Sequence, residues 1–143
     1  MSPAHPDPTP AHYAPPTPGP ARVRITNLYE GLLREVTGDH GGNGTILAHR
    51  AYRREEAPAP IAFVDLVVLP PHTSIGSHRH ADDQETYVIL SGRGRMTLDG
   101  VEFDVREGDV IPNRPYGEHG LANDGDTELK LLVFEVGPLG TAR

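Results

Sequence analysis

Two histidines separated by one residue, His78 and His80, are followed after four intervening positions by Glu85, and a further histidine stands at position 119. On a β-strand, side chains two apart share a face, so both imidazoles would aim one way and Arg79 the other. A short polar turn, Ala81-Asp82-Asp83-Gln84, could return the chain with Glu85 facing the same point. Asp82, Asp83 or Gln84 could stand in for it, but the apolar strand that begins after Glu85 favours Glu85. The alternative for the histidine pair is an exposed polar strand end. Three neutral imidazoles and one carboxylate suit a single borderline divalent ion (iron, manganese, zinc, nickel or copper) with room left for water or substrate. The chain has no cysteine, so thiolate sites and disulfides are excluded.

Chemistry at such an ion needs a proton donor or acceptor, and Tyr87, Asp65 and His72 are the candidates. Asp65 lies inside the apolar run Ile61–Leu69, where an unpaired charge is costly to bury. It either faces out or faces a cavity, and strand parity leaves both open because the residues on both faces are apolar. Glu135 has the same ambiguity. His72 shares the parity of His78 and His80 but is separated from them by a turn and a glycine. Tyr87, Met96, Tyr116 and Phe134 are pocket walls or plain core. His5 and His12 have no expected role, and His40 and His49 suggest none.

The elements that must position these groups are short strands. Ile61–Leu69 ends at Pro70-Pro71; Thr86–Leu90, Arg95–Leu98, Val101–Val105 and Glu128–Val136 follow. Asp99-Gly100 is a two-residue hairpin signal, and Gly108 to Pro112 opens a further element. Short strands at roughly ten-residue spacing, without a long helical period, predict an antiparallel barrel or sandwich. Further upstream, Arg22 to Thr26 alternates like a strand and Thr45–Ala48 reads as another. Leu28, Leu32, Leu33 and Val36 recur at helical spacing, which suits one or two turns ending at Gly38, and a strand is equally possible because Gly31 would sit badly inside a helix. Arg50 to Pro60 reads as a surface connection. The first twenty residues hold eight of the fifteen prolines and cannot join a ladder.

The stretch around the histidines resembles the first motif of the cupin family, G-x5-H-x-H-x3,4-E-x6-G, with His78, His80, Glu85 and Gly92 in place and His72 where the leading glycine stands. Gly108, His119 and Asn123 fit the second motif, with Pro115-Tyr116-Gly117 displaced by one residue. The resemblance covers about Ile61 to Val136. It implies an all-β fold, the antiparallel double-stranded β-helix or jelly-roll barrel, with metal ligands His78, His80, Glu85 and His119, and a homodimer. The expected organisation is a disordered Pro-rich tail over 1–21, N-terminal strands and loops packing on the barrel over 22–60, and the barrel core over 61–143.

The function so implied is a metal-dependent enzyme on a small oxygen-chelating organic molecule, dioxygenase-like or an isomerase or lyase. The alternative is a non-catalytic binding or sensory module. The net charge of −7 and the lack of a basic stripe argue against nucleic acid. No signal-peptide pattern opens the sequence and no apolar run spans a membrane, so a cytoplasmic protein is expected.

Overall fold

The computed structural model describes residues 25–54 and 60–137. Ten strands run through them: β1 (Arg34–Thr37), β2 (Thr45–Arg53), β3 (Ile61–Leu69), β4 (Thr73–Arg79), β5 (Gln84–Ser91), β6 (Arg93–Leu98), β7 (Val101–Arg106), β8 (Val110–Asn113), β9 (Glu118–Asn123) and β10 (Leu129–Val136). They form two antiparallel sheets, ordered β1-β2-β3-β10-β5-β8 and β4-β9-β6-β7. This is the jelly-roll sandwich expected from the sequence.

The sheets pack through their inner faces. Leu69, Ile89, Met96, Leu121, Leu129 and Leu131 are almost completely buried between them. Each such side chain contributes roughly 1.5–3 kcal/mol by leaving water. The hairpin between β6 and β7 turns on Asp99 and Gly100, both at positive φ (49° and 81°), as a type I′ turn requires.

Upstream of Ile61 the outcome differs from the expectation in two respects. Residues 28–31 are bends rather than helical turns, 32 and 33 are irregular, and the strand alternative is met only from Arg34, where β1 begins. β2 continues to Arg53, through the stretch read as a surface connection. Its polar residues hid the strand period, because Arg50 points inward to a buried carboxylate. β1 and β2 are hydrogen-bonded members of the larger sheet. The Pro-rich tail and most of the Arg22–Thr26 pattern lie outside the described residues. Among those residues, no helix is long and apolar enough to cross a membrane.

One irregularity in β4 governs the site. The register with β9 shifts between Ile75 and His78. The bulge lets Ile75 and His78 both face the interior, which strict alternation forbids. Beside it, a short 3-10 turn (Asp39–Gly41) rests directly on β4, backbone to backbone, at Gly42 and Gly76. A Cβ on Gly76 would run into the His40 carbonyl, so only glycine permits this approach.

Candidate metal centre

His78 on β4 and His119 on β9 are direct cross-strand partners, with ring centroids 4.4 Å apart. His80 lies just past the end of β4, held by its backbone N–H donating to the Gly117 carbonyl at 3.1 Å. Glu85 comes from β5 in the opposite sheet. One ligand atom from each of the four lies within 4.8 Å of the others. The structure brings His78, His80, Glu85 and His119 together, while Asp83 meets His80 from the far side of its ring.

The far side of each ring fixes which nitrogen faces inward. His78 Nδ1 is 2.8 Å from the Gly76 carbonyl, which can only accept, so that nitrogen carries the proton and Nε2 presents a bare lone pair. His80 Nδ1 is 2.7 Å from Asp83 Oδ2, with Glu135 Oε1 at 3.6 Å. The two Nε2 atoms face each other at 3.0 Å, while Glu85 stands 3.3 Å from His119 Nε2 and 3.6 Å from His80 Nε2. Converging lone pairs repel unless something electron-poor lies among them. Without a metal that is a proton, and the His80 pKa is accordingly raised to about 9, through Glu135, against burial, and with help from Asp83. Burial pushes Glu85 up, but His119, His80 and His78 outweigh it and hold its carboxyl below the usual range. Burial lowers His78. His119 Nδ1 is buried without a hydrogen-bond partner among the described residues. Three Nε2 donors and one carboxylate oxygen, with two of the rings oriented by their outer nitrogens, fit a divalent ion.

The centre forms the floor of a cavity of about 240 Å3 lined by Glu85, His78, Tyr87, Asp65 and residues of β1, β2 and β3. Tyr87 is buried, with its ring edge-on to His119 at 5.4 Å. Burial, then the charge of Glu85, raises its phenol well above the ordinary value, so it stays protonated and can donate to Glu85. Asp65 does face the cavity, but Arg50 grips it through two hydrogen bonds, Nε to Oδ1 at 3.0 Å and Nη2 to Oδ2 at 3.1 Å. That guanidinium also lies 4.2 Å from the centre of the Phe63 ring.

His72 is not brought to the centre. Its side chain is 72% exposed and sits 4.0 Å from Asp126, at the opposite end of β4. The bulge breaks the parity that linked it to His78.

Sequence reasoning missed four participants. Asp83 and Glu135, both buried, stand behind His80. Arg50 neutralises Asp65. His40 stacks on His78 at 3.6 Å with planes 10° apart, carried there by the Gly42–Gly76 contact. Glu135 gave a signal as a lone charge in an apolar strand, and Asp83 was singled out only as a stand-in for Glu85.

Comparison with known proteins follows the same lines. Residues 65–135 match the family model of the Cupin domain. An uncharacterized protein of Methanocaldococcus jannaschii is 38% identical over 71 residues, covering 50% of this chain and 57% of that protein. The chain therefore spans little more than half of that relative. An oxalate-binding protein of Thermotoga maritima is 28% identical over 98 residues, covering 68% of this chain and 81% of its own length. A crystal structure from the same organism, named as a predicted oxalate decarboxylase, superposes with a TM-score of 0.77 at 24% identity, over 80% of this chain and all of that one.

Proposed function

The chain belongs to the cupin family, and from that premise we propose that it is a metal-dependent enzyme acting on a small organic molecule that chelates the ion through oxygen. The observation carrying this reading is the meeting of three Nε2 atoms and the Glu85 carboxylate within 4.8 Å, with His78 and His80 each oriented from behind by an acceptor. His78, His80, Glu85 and His119 would hold the ion. When bound, it would supply Lewis acidity and open positions for a chelating ligand, serving dioxygenase-like, isomerase or lyase chemistry. Tyr87 would donate a hydrogen bond at the floor, and Asp65 with Arg50 would present fixed charge on the wall. The oxalate-binding relative supports a small carboxylate as ligand class. The reading keeps the division in which 61–143 supplies the chemistry, and the cytoplasmic setting.

The test is metal uptake by equilibrium dialysis with iron, manganese, zinc, nickel and copper, comparing the native chain with the His78→Ala/His119→Ala double variant. The native chain should take up one ion and the double variant none at micromolar metal. Undiminished affinity in the double variant would end the proposal.

A second reading, a non-catalytic binding module, is favoured by one observation. Asp65 is locked to Arg50 and the Tyr87 phenol is pushed far up, so neither is a free proton carrier. Recovery of oxalate unchanged after long incubation with metal-loaded protein in air, together with no turnover of other chelating acids, would select it.

A further inference from the structure

The inward face of the larger sheet can be followed row by row across its strands. Tyr87, Val133, Asp65 and Arg50 are successive cross-strand partners on β5, β10, β3 and β2. The neighbouring row carries Leu131, Val67, Ala48 and Arg34, ending on β1. Arg34 is therefore the diagonal neighbour of Arg50, within reach of the same small molecule. Both line the cavity whose floor is the metal centre.

The two guanidiniums differ in one respect. Arg50 is neutralised by the two-point grip on Asp65. Arg34 has no ion-pair or hydrogen-bond partner among the described residues. It stands at the exposed rim in the row of Ala48 and Val67, and the Arg50–Asp65 pair occupies the next row toward Tyr87. The cavity thus has an uncommitted cation at its rim and His78 with Glu85 at its buried end, with the neutralised Arg50–Asp65 pair and apolar Ala48, Val67 and Val133 along the wall between them. Its volume corresponds to roughly eight waters, which suits a metabolite below drug size.

Charge points the same way. The carboxylates on the wall (Asp39, Asp65 and Glu85) exceed the guanidiniums by one. A divalent ion adds positive charge at the buried end and leaves Arg34 as the uncommitted cation on the wall.

Resting on the metal-centred reading above, we infer that the ligand is a two-ended acid: one end chelates the ion through oxygen, and a second carboxylate at the other end is held by Arg34. Planar guanidinium matches planar carboxylate at two points, which a lysine would not reproduce. Arg34 lies outside residues 65–135, so this recognition belongs to the N-terminal strands and not to the part matched by the family model.

The experiment uses the full chain loaded with metal and isothermal titration. The probes are 2-oxoglutarate and 2-oxoadipate against the monoacids of equal length, 2-oxovalerate and 2-oxohexanoate, with oxalate as the shortest chelator. At least one diacid should bind about tenfold more tightly than its monoacid. In Arg34→Gln that ratio should collapse toward one, and in Arg34→Lys it should recover only in part. Metal uptake is measured on each variant to show that its floor is intact. Equal binding of diacid and monoacid by the native chain, with oxalate still bound, overturns the inference and leaves the metal-centred reading standing. A preference that survives Arg34→Gln overturns it too, by assigning the second carboxylate to another group. Failure of oxalate and every 2-oxo acid to bind the loaded protein removes both.

Discussion

His80 is the residue on which the centre turns, because it touches His78 and Glu85 on one side and Asp83 and Glu135 on the other. The carboxylates behind it keep Nε2 aimed inward and make the ring a better donor to a metal. Asp83→Asn, which keeps the shape and removes the charge, is expected to weaken metal affinity by roughly 10–100-fold, measured by competition with a chromophoric chelator. The same carboxylates set a pH dependence. His80 is raised from 6.5 to about 9 in the metal-free protein, so its proton adds stability that is present in full below pH 6.5 and lost as pH rises through about 9. A metal must displace that proton, so affinity should climb over the same range. Melting curves at pH 6, 7.5 and 9 should show the metal-free protein weakening and the metal-induced gain in Tm growing. A gain independent of pH would contradict this account.

At the scale of elements, the glycines of the two motifs prove to be backbone devices. Gly92 and Gly108 sit at φ of 88° and 90°, which only glycine adopts freely. The position where the first motif has its leading glycine also needs the left-handed region, and His72 occupies it at φ 62°. Histidine tolerates this better than most residues, at a cost of about 1 kcal/mol. His72→Gly should therefore be neutral or stabilising by roughly 0.5 kcal/mol, after glycine's greater freedom in the unfolded chain is set against the relief. Metal uptake should be unchanged. A fall in Tm of several degrees, or lost metal binding, would restore a role for the imidazole.

The elements also explain what the sequence made legible. Strands with clean alternation, the Asp99-Gly100 turn and the His78–His80 pairing could be read directly, because each depends on residues adjacent in the chain. The β4 bulge could not, since its cause is the pairing with β9. The inward side of Asp65 became readable only with Arg50 opposite it, and β2 looked like a connection because its inward residue is charged. His40 owes its place to two glycines that touch across distant segments, a contact no local pattern announces.

For the molecule as a whole, the open question is what meets the rim. Tyr29 and Leu32 are largely exposed just ahead of β1, an edge strand with unpaired backbone groups. Such an edge invites a partner strand, which supports the homodimer suggested by family resemblance. Light scattering at tens of micromolar is expected to give about twice 15.5 kDa, and Leu32→Asp to shift the mass toward the monomer. A native chain of single mass at every concentration would dismiss the dimer.

The cavity draws its floor from residues inside the family-matched span and much of its wall from Arg34, Val36, Ile46, Ala48, Arg50 and Phe63, which precede it. Because β1 joins β2 by a regular antiparallel ladder and β2 joins β3 by a ladder with one register shift between Arg50 and Tyr52, the two strands are separable in principle from the ion-holding half. Grafting these two strands onto a related barrel should carry ligand preference with them while leaving the recipient's reaction untouched. Choice of molecule and type of chemistry would then be inherited on different stretches of one chain.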